Sequence, residues 1–576
     1  MKKNDEIILD ITDYTADGSG VGKYEGMAVF VPLTAVGDTA KVKILKVKKS
    51  YAFGKLIEIT EKSNCRTEND CSAFSRCGGC VFRHISYEAE LKAKEIKVYE
   101  TIKRIGGVDL KPQPIMYDKE IRYRNKAQYP VNKDGKVGFY ATHSHRVIPC
   151  EDCLLQPEVF SLLTRETEKW IGKYNISIYN EEEHKGLLRH IFIRQGEATK
   201  EIMLALVING ESLPHAKELI SSLKAVAGEN LKSVQININT ADTNVIMGDK
   251  CVTLYGEDYI SDILCGVKIR LSALSFYQVN RTMAEKLYEK AAQYGDIHGK
   301  TVLDLYCGAG TIGLSLANKA KKVIGVEIIP EAIEDAKFNA RENNIQNAEF
   351  YCLDATEFAE KAAKEGMKAD VVILDPPRKG LTEELISTVA EKLTPQRVVY
   401  VSCDVGTLAR DIKIFGEKGY ELKEYTPADL FPRTAHVETV ALLSRQINVH
   451  KMKLYSAPFE MIKSGEKTIE LRLFDEKRQQ VKVGDKILFT NIANGETLNT
   501  TVLKLHRFDS FKELYKSLPL LQCGYTRENI DKATPSDMEQ YYSVEEQNKY
   551  GVVGIELCRP KEITDETVAL LGRQET

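Results

Sequence analysis

The sequence predicts a multidomain fold of mixed α/β and β class. It comprises a small OB-type barrel, a mixed α+β central domain, a doubly wound α/β sheet and a separate C-terminal α+β domain. Three observations predict it. The 576 residues are too many for one ordinary core. The first sixty alternate apolar and polar residues in short runs between glycine-rich turns. From about 270 to 445, apolar strand-like runs alternate with helical segments. With 43% hydrophobic and 28% charged residues the balance is that of a globular chain. No run approaches the roughly 18 apolar residues of a membrane helix. The start, Met1-Lys2-Lys3-Asn4-Asp5-Glu6, has no signal-peptide core. The expectation is a cytoplasmic protein with no membrane partner.

Residues 1–60 read as five strands. Ile7, Leu9 and Ile11 alternate with polar residues, and 17–22 is a glycine cluster suited to a turn. Lys41, Lys43, Lys46, Lys48, Lys49 and Lys55 interleave with Tyr51 and Phe53. Cations suit phosphates and flat rings suit unstacked bases, so the segment taken alone reads equally as an RNA-binding surface or as a plain solvated hairpin. The net charge of −3 excludes a wholesale basic coat but not such local surfaces.

The central domain, 61–268, holds a cysteine cluster, a helix over 87–104, and strands at 188–194 and 201–208. In the α/β domain, 269–446, the buried parallel strands are 301–305, 322–327, 370–375 and 397–402. A new pattern begins near 450 and runs to 560, with strands at 486–489 and 551–557.

Gly308-Ala309-Gly310-Thr311-Ile312-Gly313 follows a strand and opens a helix. Its spelling fits a dinucleotide fingerprint, and Glu327 stands near the distance of a ribose-binding acid. Asp304 and the Asp375-Pro376-Pro377-Arg378 element add carboxylates at the same sheet edge. Carboxylates suit a cationic sulfonium with an amino-acid tail better than a pyrophosphate, which favours S-adenosylmethionine over NAD.

Cys403 ends another buried strand at that edge. A cysteine there is usually a small hydrophobe. Three acidic strand ends and Arg378 around it read instead as a nucleophile's surroundings. Thiolate addition at C6 of uracil would activate C5 toward a methyl group. A base must then remove the C5 proton, and Glu438 is the candidate.

Thirteen cysteines without a secretion signal point away from disulfides. Cys71, Cys77 and Cys80 are close in sequence, and a fourth thiolate comes from Cys65, Cys150 or Cys153. Spacing alone allows zinc, an iron–sulfur cluster or a redox pair.

Phe276-Tyr277-Gln278-Val279-Asn280, Leu303-Asp304-Leu305-Tyr306-Cys307-Gly308, Asp375-Pro376-Pro377-Arg378, Val401-Ser402-Cys403-Asp404 and Phe431-Pro432-Arg433-Thr434-Ala435-His436-Val437-Glu438 resemble, in order, motifs of the bacterial 23S rRNA (uracil-5-)-methyltransferases. The likeness covers roughly 1–445. It implies Cys403 as nucleophile, Glu438 as base, and methyl-donor contacts from Gln278, Tyr306, Thr311, Glu327, Asp354 and Asp375. It implies that residues 1–60 are a TRAM domain, and that Cys71, Cys77, Cys80 and Cys153 hold a 4Fe-4S cluster. It further implies a monomer acting on 23S rRNA before the ribosome is fully assembled. The tRNA counterpart of this chemistry and an NAD-linked iron–sulfur oxidoreductase are the alternatives. Residues 455–472 with Val483-Gly484-Asp485 resemble an ASCH domain, a PUA-like barrel linked with RNA. By that likeness Lys467, Glu470 and Arg472 line its cleft.

Overall fold

The computed structural model describes residues 1–558. They form two compact units that divide after Arg445. The last two residues of the expected 450–560 domain lie outside the described residues.

The first unit opens with β1 (Glu6–Asp10), β2 (Asp13–Tyr14), β3 (Gly20–Tyr24), β4 (Met27–Val31), β5 (Thr39–Val47) and β6 (Tyr51–Glu61). The sheet order is β1-β5-β6-β4-β3-β2, around a core of Leu9, Val29, Val31, Val42 and Ile44. The sequence suggests five strands and a turn over 17–22, whereas Gly20 and Gly22 lie inside a sixth strand. A Cβ on Gly20 would collide with Thr34 and Ile11, and one on Gly22 with the Asp10 carbonyl. These glycines serve close packing, which composition does not distinguish from a turn.

Ser86 caps α1 (Tyr87–Thr101) by accepting from the Ala89 amide. The helix stops three residues short of expectation and passes into a π turn, Ile102–Gly106. There follow β7 (Lys126–Pro130), β8 (Gly138–Tyr140), β9 (Val147–Pro149), α2 (Glu158–Tyr174), β10 (Leu188–Gln195), β11 (Ile202–Ile208), α3 (Ala216–Ala227), β12 (Leu231–Ile238) and β13 (Lys250–Gly256). The central sheet runs β13-β12-β11-β10-β7, with β10 and β11 buried along their whole lengths. The hairpin β14 (Tyr259–Leu264) and β15 (Val267–Ser272) leads to α4 (Arg281–Gly295).

Strands and helices then alternate: β16 (Thr301–Leu305), α5 (Thr311–Leu316), β17 (Lys322–Glu327), α6 (Pro330–Glu342), β18 (Ala348–Cys352), α7 (Ala355–Lys364), β19 (Val371–Leu374), α8 (Glu383–Ser387), β20 (Arg397–Ser402), α9 (Val405–Glu417), β21 (Tyr420–Ala428) and β22 (Glu438–Arg445). The seven-stranded order is β18-β17-β16-β19-β20-β22-β21. The first five strands are parallel, and β22 is antiparallel to both its neighbours. Leu303, Val372, Val398 and Tyr400 pack on one face, and Val302, Val371, Val399 and Val401 on the other. Both faces are covered, so the strands read as continuous apolar runs. Strand order reverses between β16 and β19, which opens a crevice at their carboxyl ends.

The second unit contains β23 (Val449–Leu454), α10 (Ser456–Ser464), β24 (Ile469–Leu473), β25 (Lys486–Asn491), β26 (Thr497–Phe508), α11 (Phe511–Ser517), α12 (Val544–Tyr550) and β27 (Val552–Leu557). Its sheet order is β23-β25-β26-β27-β24, over a core including Phe459, Ile462, Phe489 and Ile555. Among the described residues no helix is long and apolar enough to cross a membrane.

Candidate active site

A cleft of 2700 Å³ in the first unit opens at the strand-order reversal. Its floor begins at the turn after β16. Tyr306 there has φ +69°, a strained conformation for a bulky side chain. Gly310 follows at φ +76°, and a Cβ on it would crowd Phe350 and Ala336. These positions fold the backbone back so that α5 starts at the crevice.

Gln278, Tyr306, Thr311, Glu327, Asp354 and Asp375 all line this cleft. Glu327 ends β17, where its Oε1 accepts from the Ile328 and Ile329 amides at 2.8 and 3.1 Å and its Oε2 from the Gly308 amide at 3.2 Å. Asp354 caps α7, accepting from the Thr356 amide at 2.8 Å. The Thr311 hydroxyl stands 3.2 Å from that of Tyr288. Burial pushes the Asp375 carboxyl up to about 7.

Asp304 differs from the expectation. It is fully buried, and its Oδ2 accepts from the Gly313 amide at 3.0 Å. It braces the glycine turn from behind rather than facing a ligand. Burial and the neighbouring Asp375 raise its carboxyl to about 8.

Cys403 and Glu438 line the same cleft. Cys403 follows β20 and Glu438 begins β22, and Ser402 pairs with Thr439 in the ladder between them. The next step outward sets Cys403 opposite Glu438. Burial, then the Glu438 and Asp375 charges, push the Cys403 thiol up to about 11, while Arg378 opposes the rise. Burial and Asp375 raise Glu438 to about 8, again against Arg378. The pair therefore holds protons that a nearby cation helps to release.

Cys71, Cys77, Cys80, Cys150 and Cys153 border another stretch of the cleft, all as free thiols. Burial pushes Cys80 up to about 12, with the Arg83 guanidinium opposing and Cys153 and Cys77 adding to the rise. The expectation of a metal centre at Cys71, Cys77, Cys80 and Cys153 is not supported by this geometry. Among the described residues no three His, Cys, Asp or Glu side chains form a group that could hold a metal ion. The fold brings the thiols within range of one another's charge without converging them on one ion.

A buried charge network braces the loop that leads into Glu438. The Lys94 ammonium donates to Glu90 Oε1 at 2.8 Å, Asp429 Oδ1 at 2.7 Å and the Phe431 carbonyl at 3.2 Å. Tyr87 donates to Asp429 Oδ2 at 2.9 Å, and the Arg433 amide to Glu90 Oε1 at 2.7 Å. Asn280 Nδ2, the Tyr123 hydroxyl and Lys97 Nζ hold the Leu430, Pro432 and Ala435 carbonyls. The loop entering Glu438 is thus pinned along its length. The Glu90–Lys94 spacing was visible, but it reads as a surface helix pair until burial is known.

In the second unit, Lys467 Nζ lies 2.9 Å from Glu470 Oε2, and Arg472 Nε lies 2.9 Å from Glu470 Oε1. Burial pushes the Glu470 carboxyl up, but the two cations bring it below its usual range.

A family model described as tRNA (Uracil-5-)-methyltransferase matches residues 86–446. The chain belongs to that family. Within this RNA uracil-5-methyltransferase, a TRAM domain model matches residues 2–57 and an ASCH domain model residues 452–561. An uncharacterized RNA methyltransferase of Bacillus cereus is 45% identical over 451 residues, covering 77% of this chain and 98% of its own. One of Clostridium acetobutylicum is 44% identical over 453 residues, with the same coverage of 77% and 98%. Among solved structures, the Pyrococcus abyssi tRNA (uracil-54, C5)-methyltransferase in complex with S-adenosyl-L-homocysteine is 28% identical, with a TM-score of 0.63. It covers 76% of this chain and 99% of its own. Family membership sets aside the NAD-linked reading of the glycine turn.

Proposed function

We propose that the protein methylates C5 of a uridine in 23S rRNA, with S-adenosylmethionine as donor, Cys403 as nucleophile and Glu438 as base. The observation that carries this reading is that Cys403 and Glu438, each next to the Ser402–Thr439 ladder pair, line the same crevice as Glu327 and Asp375. The Pyrococcus abyssi relative, solved with S-adenosyl-L-homocysteine, supports the donor.

The donor supplies an electrophilic methyl group on a sulfonium sulfur. Glu327 offers a carboxylate for ribose hydroxyls, and Asp375 one for the cationic end of the ligand. Cys403 loses its thiol proton to solvent and attacks C6 as the thiolate; the C5–C6 π electrons move into an enolate, and C5 then takes the methyl group as its bond to the sulfonium sulfur breaks. After methylation C5 carries both a hydrogen and the new methyl group. Glu438 takes that proton, the C5–C6 double bond re-forms, and the Cys403–C6 bond breaks to return the thiolate. Arg378 favours the charged forms of both residues. The target base reaches Cys403 by leaving its stack.

The thiols of Cys71, Cys77, Cys80 and Cys153 are of the donor type that holds a 4Fe-4S cluster, and they would have to draw together to bind one. Cys77 and Cys80 both feel the Cys153 charge. A cluster there would tie the segment around Cys71–Cys80 to that around Cys153, with no part in methyl transfer.

A tRNA uridine is the second reading. The Pyrococcus abyssi tRNA enzyme spans 76% of this chain, so the shared architecture does not separate the two RNAs. Mapping 5-methyluridine in 23S rRNA and tRNA from a deletion strain and its complemented parent tests the choice. Loss confined to one 23S rRNA uridine or a few supports the proposal, and loss confined to tRNA overturns it.

A further inference from the structure

The segment entering β7 alternates. Tyr123, Asn125 and Ala127 are buried, while Arg122, Arg124 and Lys126 are half-exposed on the other side. Arg122 pairs with Asp152 at 2.7 Å. Arg124 and Lys126 line the cleft, as does Arg378 from the loop after β19. Among the described residues none of these three side chains has a hydrogen-bond or ion-pair partner.

The segment is fastened on both sides. The Arg124 amide donates to the Leu155 carbonyl at 2.8 Å, and the Asn125 amide to the Val279 carbonyl at 2.8 Å. Asn125 Nδ2 donates to the Gln278 carbonyl at 3.0 Å. The two cations are therefore held on rigid backbone between the Cys153 segment and the expected donor residue Gln278.

The Arg124 charge reaches the catalytic loop. After burial, Arg378 and then Lys97, Lys94 and Arg124 hold His436 below its usual range. Lys126 itself meets only unfavourable influences: burial, Arg194 and Arg124 pull its ammonium down to about 8. A half-buried lysine beside two guanidinium groups, with no carboxylate in reach among the described residues, costs stability in the free protein. The same arrangement attracts an anion, and an RNA strand delivering a base to Cys403 brings phosphates to this wall.

We propose that Arg124, Lys126 and Arg378 form a phosphate site for the backbone of the RNA strand that carries the target uridine. The inference rests on the RNA-methyltransferase reading and adds which surface takes the backbone.

The test is the salt dependence of binding of a uridine-containing single-stranded RNA oligonucleotide to full-length protein and to the Arg124→Met and Lys126→Met variants. Each variant is expected to reduce the slope of log K against log salt by roughly 0.7 and to weaken binding by roughly tenfold at moderate salt. S-adenosylmethionine affinity stays unchanged. The Lys126→Met melting temperature stays level or rises, because no partner is lost, whereas a merely structural lysine would lower it. Unchanged slopes in both variants, or a lowered Lys126→Met melting temperature with an unchanged slope, overturn the proposal. Covalent trapping of 5-fluorouridine RNA by the wild type, run in parallel, separates the failures. Trapping with unchanged slopes counts against the phosphate site alone, and no trapping counts against the enzymatic reading.

Discussion

Cys403 and Glu438 each stand one residue beyond the Ser402–Thr439 pair of the antiparallel ladder between β20 and β22, and the Glu438 charge reaches the Cys403 thiol. β22 is the one strand of its sheet that runs against the rest. Its first residue therefore meets the last residues of a parallel strand at the ligand-binding edge. That reversal places a carboxylate beside the thiol from the far end of the domain.

If Glu438 removes the C5 proton, Glu438→Gln blocks release rather than attack. Turnover is expected to fall by roughly 10²- to 10⁴-fold. An adduct of ordinary RNA that survives denaturing electrophoresis should accumulate with the variant and not with the wild type. Loss of turnover without that adduct would place Glu438 earlier in the reaction.

Donor binding should depend on pH. Asp375 and Glu438 ionise near 7 and 8 in the free protein, so below pH 7 they are largely neutral. A cationic sulfonium binds better once they are charged. S-adenosylmethionine affinity is expected to rise between about pH 6 and 9, by up to roughly tenfold for each pKa unit of coupling. S-adenosylhomocysteine, lacking the sulfonium charge, should change less, and calorimetric titration of both ligands checks this. The stability linkage has the opposite sign. These raised carboxylates bind protons in the folded state that the unfolded chain has lost, so their contribution falls as pH rises from about 4 through 8.

Lys94→Met leaves Glu90 and Asp429 buried without their ammonium. Removing one partner of such a network costs about 3–5 kcal/mol. Chemical denaturation should show that loss, and Lys94→Arg should recover part of it. A cost under about 1 kcal/mol would mean that the network does not hold the Glu438 loop.

Anaerobic purification should yield iron and sulfide in equal amounts if the four thiols hold a cluster, and Cys77→Ser should lose both. Zinc without iron or sulfide would refute the cluster.

The doubly wound sheet was legible because strands buried on both faces, such as 371–374 and 397–402, read as unbroken apolar runs. The glycine turn, Asp375 and Cys403 were legible because they sit directly after such runs. Asp304 was misread, since a strand-end carboxylate looks the same whether it faces a ligand or braces a turn. Gly20 and Gly22 were misread because their need is for close approach by Thr34 and Asp10, which are distant in sequence. Lys94 and Lys126 stayed hidden for a related reason. The value of a lysine depends on burial and on partners that arrive from elsewhere in the chain.

Covalent trapping tests the central claim most directly. The protein is incubated with 5-fluorouridine-substituted 23S rRNA fragments and S-adenosylmethionine, digested, and the crosslinked peptide is sequenced by mass spectrometry. The expected result is a methylated fluorouridine adduct on Cys403, absent in Cys403→Ala, which still binds the donor. An adduct on another residue, or one that persists in Cys403→Ala, would contradict it.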